Sequence, residues 1–196
     1  MAASADNSGR RGRHLWRMAP WIVAALLWLL PLVAMMFTDE ANWGETDFIV
    51  FGTMLLGACG TYELAEKVAG GIAYRAAVGV TVVAAFILIW MSLAVGIIGA
   101  EDYPANLMYG GVLAIAVLGG FIVRLQPHGM AQVLVATALA QTLVGIIALS
   151  AGLGSTGGNW PWVIVVLTGF FSALWLLSAW LFRKAAQEPA FAGAAP

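Results

Sequence analysis

The chain reads as an all-α fold, a polytopic membrane bundle of six transmembrane helices with both termini on the cytoplasmic side. Three observations predict it. Hydrophobic residues make up 62% of the 196-residue chain and charged residues 10%, where a soluble domain carries about 25% charge. With a mean hydropathy of +0.90, there are too few polar groups to cover a water-facing surface. The apolar residues gather into six runs, each near the length that crosses a bilayer. The cations gather at alternate ends of those runs.

Residues 1–17, MAASADNSGRRGRHLWR, are small and polar, then basic, and predict a disordered cytoplasmic tail. The bundle is expected over 18–184, and a short cytoplasmic tail over 185–196. The six runs cover 18–37, 48–64, 76–99, 107–123, 130–153 and 160–182. A spanning helix takes about 20 apolar residues, within a range of roughly 17–25. The second and fourth runs are the shortest, and a re-entrant or interfacial segment is the alternative for these two. No run alternates with a period of two, which argues against a membrane β-barrel. In hydrocarbon that leaves the helix, which satisfies its backbone within one segment. The first run follows a basic leader but lacks a small-x-small cleavage site in VAMMFTDEANW. A retained helix is therefore expected rather than a cleaved signal.

All nine Lys and Arg fall on one side of this map. Arg10, Arg11, Arg13 and Arg17 precede the first run, and Lys67 and Arg75 lie between the second and third. Arg124 closes the fourth run, and Arg183 and Lys184 close the sixth. Cations in short loops stay cytoplasmic, so both termini are expected inside. The outer connections carry Asp39, Glu40, Glu45, Asp47, Glu101 and Asp102. Pro104 follows the last of these and suits the first turn of a helix, where its missing N–H needs no partner.

Tryptophan placement follows the same map. Trp16, Trp21 and Trp180 sit near the expected inner boundary, and Trp43, Trp160 and Trp162 near the outer one, where indoles favour the headgroup layer. Trp28, Trp90 and Trp175 sit deeper and are read as packing residues. Small residues recur at four-residue spacing: Thr53, Gly57 and Thr61; Gly110 and Ala114; Ala116 and Gly120; Gly169 and Ala173. Such stripes let helices approach closely in lipid, within the bundle or across a dimer face.

Few residues suggest chemistry. The single cysteine, Cys59, permits no intrachain disulfide and no Cys-based metal motif. His14 and His128 fall in expected cytoplasmic segments, so the bundle has no facing histidines to hold a haem. No HExxH, GxSxG or Walker-type run occurs. A net charge of −1 gives no electrostatic basis for binding nucleic acid. No catalytic residue, cofactor or metal site is expected. The candidate polar or ion site comprises Glu63, Lys67, Tyr74, Arg75 and Gln141. Glu63 lies roughly 22 Å into the second run at 1.5 Å per residue. Lys67, four residues on, shares its helix face, so the two form either an interfacial pair or an intramembrane carboxylate site. Tyr74 and Arg75 stand across a short loop from Glu63 and Glu66. Gln141 is the one amide in mid-helix and shares a face with Thr137 and Gly145, which should turn inward. The outer carboxylates read as a solvated rim, or as oxygen ligands for a hard divalent cation if their loops converge.

DFIVFGTMLLGA, TYEL, AYRAAVG and AVGIIGAEDYPANLMY resemble segments of a family of uncharacterised multi-pass membrane proteins found mainly in proteobacteria. The resemblance covers 37–153, a little over half the chain, with AVGIIGAEDYPANLMY its most specific piece. It implies a location in the bacterial inner membrane and carries over no activity or catalytic residue. The reading from sequence is a structural or accessory membrane protein. Membrane lipid is its surroundings, and a membrane-protein partner or a homo-oligomer its setting. The alternative is a small transporter or channel with a polar cavity near Glu63 and Gln141. A membrane enzyme is a weaker third reading.

Overall fold

A computed structural model describes residues 2–38, 43–68, 71–155 and 160–188, without the side chains of 2–17 and 66–68. The described residues are helices and their connections, with no strand among them. Five helical stretches are long and apolar enough to cross a membrane: Glu45–Ala65, Ile72–Ala94, Pro104–Ile122, Pro127–Ser150 and Trp162–Gln187. Met18–Ala34 forms a shorter apolar helix. The two runs shortest in sequence become helical stretches of 21 and 19 residues, the second lengthened by a 3-10 turn over Pro104–Leu107.

The chain divides into two compact units, Met1–Thr61 and Tyr62–Pro196. The first holds α1 (Ala2–Ala34) and most of α2 (Glu45–Val68). Residues 2–17, which read as a disordered tail, carry helical backbone continuous with the apolar run. Extending an existing helix adds one hydrogen bond per residue fixed, and Ala and Arg favour it. At its other end α1 stops at Ala34, short of the expected Phe37, and closes with bonds from Met36 N to Val33 O (3.0 Å) and Phe37 N to Ala34 O (2.9 Å). Side-chain hydrogen bonds to backbone join α1 and α2 in this unit. Trp28 Nε1 donates to Phe48 O (3.1 Å), and the Cys59 thiol reaches Pro20 O (3.5 Å). Trp28 is 41% exposed, so its indole anchors a backbone carbonyl at the edge of the pair rather than filling a core. The rings of Phe48 and Phe51 each lie 5.4 Å from Trp43.

The second unit takes in the end of α2 and packs α3 (Ile72–Ala94), α4 (Met108–Ile122), α5 (Pro127–Ser150) and α6 (Trp162–Gln187). Helix α5 packs chiefly on α6 and then on α4, and α6 lies on α3. Tyr74, Leu88, Tyr109, Leu134, Phe171, Trp175 and Phe182 form the centre of the core. Large apolar side chains also cover the outside, among them Leu118, Phe121, Leu139, Trp162 and Val166. That outer surface belongs in lipid.

The third run does not stay helical to Gly99. It ends at Ala94, because Gly96 adopts φ +74° and sends its N–H back to Met91 O (2.9 Å). A left-handed residue of this kind stops a helix, and glycine takes the conformation without a Cβ penalty. A side chain at Gly96 would also overlap the backbone of Ala100 and Glu101. The segment beyond it folds over Asn106, in the 3-10 turn. Asn106 Oδ1 accepts from Ile97 N (3.0 Å) and Ile98 N (2.9 Å). Its Nδ2 donates to Ile98 O (3.3 Å) and Ala100 O (2.8 Å). Ile97 and Ile98 are thereby buried in the core, while Glu101 and Asp102 stay exposed at the tip.

Asn106→Ala should cost about 4 kcal/mol, because it removes four bonds at about 1 kcal/mol each and orphans two buried N–H groups. Unfolding in micelles followed by far-UV circular dichroism measures it. A loss below about 0.5 kcal/mol, the size of an ordinary surface substitution, would mean that the loop is held elsewhere.

Candidate functional site

Of the five predicted site residues, Tyr74 and Gln141 lie at different levels of the bundle. Tyr74 is fully buried. Its hydroxyl donates to Leu125 O (2.9 Å), and its ring meets Phe182 edge-on at 5.3 Å between centroids. The carbonyl it holds belongs to the tight turn between α4 and α5, where Arg124 and Leu125 adopt φ of 51° and 57°. Left-handed conformations of residues with a Cβ cost about 1–2 kcal/mol each. The turn persists because Leu125 N also bonds Gly120 O (3.0 Å) and Arg124 N bonds Phe121 O (3.1 Å). Tyr74 is thus a clamp between the start of α3 and this turn.

Glu63 is half-buried near the end of α2, and Arg75 is exposed. The side chains of Lys67 and Glu66, and with them the expected Glu63–Lys67 pair, lie outside the described residues. Gln141 lies elsewhere, fourteen positions into α5 from Pro127, or about 21 Å along the helix from the end that Tyr74 clamps. It faces inward as its stripe predicts: Thr137, Gln141 and Gly145 are all buried. Thr137 satisfies itself by donating to Val133 O (2.9 Å). Both amide atoms of Gln141 are buried with no hydrogen-bond partner among the described residues.

Two hydroxyl pairs that sequence reasoning did not single out tie the helices together. Ser178 of α6 donates to Ala77 O of α3 (2.7 Å), and its oxygen stands 2.7 Å from Thr81 Oγ1. Thr142 of α5 and Ser172 of α6 are 3.1 Å apart. The available signal was weak, because single Ser and Thr residues inside apolar helices commonly bond only their own preceding turn. Thr142 does that as well, to Ala138 O (2.9 Å), and Thr81 shares its one proton between Ala77 O (3.0 Å) and Ser178.

Asp39 and Glu40 lie outside the described residues. Glu45 and Asp47 open α2, where Asp47 accepts from Gly44 N (2.8 Å). Among the described residues no three His, Cys, Asp or Glu side chains lie together as a metal site would need. No family profile, curated protein or solved structure matches the chain.

Tyr74→Phe should lower stability by about 1–2 kcal/mol, the cost of leaving the part-buried Leu125 carbonyl without this donor. In a double-mutant cycle, Thr81→Val and Ser178→Ala should couple by about 0.6 kcal/mol, the average for such bonds within membranes. Additive losses would show that the two hydroxyls act independently.

Proposed function

We propose that the protein is an accessory or structural subunit of the bacterial inner membrane, with six spans, both termini cytoplasmic, and a second membrane protein as its partner. The observation that carries this reading is the outward placement of small residues. Gly110 on α4 and Gly169 on α6 have no neighbouring atom within 4 Å of where a Cβ would sit. Ala114 and Ala173, one turn further on, are exposed. By contrast Gly120, in the remaining stripe of this bundle, is buried, and a Cβ there would meet Met130 Sδ at 3.5 Å. The bundle therefore uses some of its small residues for its own packing and leaves others facing out. In lipid, outward small residues let a foreign helix come close enough for backbone-level contact. The six-span topology rests on the cation distribution, and the inner-membrane location on the sequence resemblance.

A second reading, a small transporter or channel, draws on the unpartnered amide of Gln141. Its other expected element, the Tyr74–Arg75 end, lies far along the bundle axis from that amide.

Native purification tests the accessory reading. A partner at fixed stoichiometry is expected, and Gly110→Leu with Gly169→Leu should release it while the thermal midpoint of the chain stays within a few degrees. Recovery of a partnerless chain from gently solubilised membranes would refute it. For the topology, a membrane-impermeant thiol reagent applied to intact cells should label a cysteine beside Asp102 and spare those beside Arg75 and Arg124. The opposite pattern would invert the map.

A further inference from the structure

Four antiparallel helices of the second unit bring under-satisfied polar groups within about two helical turns of one another along the bundle. The Tyr109 hydroxyl of α4 and the Thr168 hydroxyl of α6 meet each other across the two helices, and neither finds a further partner among the described residues. Thr168 sits against Gly145 of α5, where a Cβ would overlap its hydroxyl, and Gln141 lies one turn away on the same face. The contact of Gly119 with Val133 sets the register of α4 on α5. Followed along both helices, it puts Tyr109 within a turn of Gln141. The Thr81–Ser178 pair sets the register of α3 on α6 and puts Ser92 level with Thr168. Trp175 lies two turns along α6 from Thr168. Side chains on a helix lean toward its N-terminus, so in this antiparallel pair Trp175 and Gln141 lean toward each other.

Ser92 Oγ, both Gln141 amide atoms and Trp175 Nε1 are buried with no hydrogen-bond partner among the described residues, and the buried Tyr109 Oη and Thr168 Oγ1 have none beyond each other. Tyr109, Gln141 and Trp175 are at most 1% exposed. Buried polar groups in native proteins are satisfied almost without exception, by protein or by an ordered guest. None of these side chains is charged, so a charged guest would sit uncompensated. The indole N–H only donates, the hydroxyls do either, and the amide does both. Water and small neutral solutes offer the matching combination, and a buried water needs two to four such partners.

We propose that Ser92, Tyr109, Gln141, Thr168 and Trp175 form an internal site for a small uncharged hydrogen-bonding molecule, either water or a neutral solute of comparable size. The site is independent of the accessory reading and would exist in a subunit or a transporter alike.

The test uses the full chain, isotope-labelled and reconstituted in lipid nanodiscs, with nuclear magnetic resonance read as magnetisation transfer from water to individual N–H groups. The Gln141 side-chain amide and the Trp175 indole should receive transfer from water, while the lipid-facing amides of Leu139 and Leu176 should not. Repeating the measurement with ¹³C-urea separates the sources, since transfer from urea identifies a solute and transfer from water alone identifies resident water. Gln141→Leu should reduce the Trp175 signal to the level of the Leu139 amide. Tyr109→Phe, which keeps the ring and removes one hydroxyl, should weaken it in a bundle that still folds. The proposal is overturned if neither water nor urea reaches Gln141 and Trp175, or if the Trp175 signal is unchanged in both variants.

Discussion

Helices whose outer surfaces are as apolar as the lipid around them gain little from the hydrophobic effect when they associate. That constraint governs the second unit. Its helices are held by close approach and by hydrogen bonds made across the gap, the two resources left when lipid replaces water. Gly145 leaves room for Thr168, and Gly119 and Gly120 leave room for Val133 and Met130. Ser178 crosses from α6 to a carbonyl of α3. The large aromatics, Trp175, Phe171 and Phe182, then fill the space these contacts define. The same constraint makes an unpaired polar group inside the bundle more consequential than it would be near water, because no solvent stands ready to satisfy it.

Much of the helical layout was legible because hydropathy and helix length follow from the same bilayer thickness. The third run shows where hydropathy stops being informative. VGIIG is as apolar as the helix before it, yet the chain leaves the helix at Ala94. Only the left-handed glycine and the bonding capacity of Asn106 separate the two conformations. A lone Asn after Pro104 reads as ordinary turn chemistry, and its role as a four-bond hub depends on a fold-back that no local pattern encodes.

The candidate residues divide in the same way. That Gln141 faces inward followed from its helical stripe. That its amide would find no partner among the described residues did not, because the register of the neighbouring helices decides it. Tyr74 was singled out as a neighbour of charge and turned out to hold a backbone carbonyl fifty-one positions away. Among the deep tryptophans, Trp175 is buried as expected while Trp28 is 41% exposed. Depth along a helix can be read from sequence, but azimuth around it cannot when every side is apolar.

The link between α4 and α5 has a mechanical consequence. It passes through two left-handed residues, Arg124 and Leu125, and so admits no slack. One residue added there would turn everything downstream by about 100°, swinging Gly145 off Thr168 and sending Gln141 toward lipid. The hairpin therefore works as an angular index, fixing the rotational phase of α5 before α6 arrives to read it.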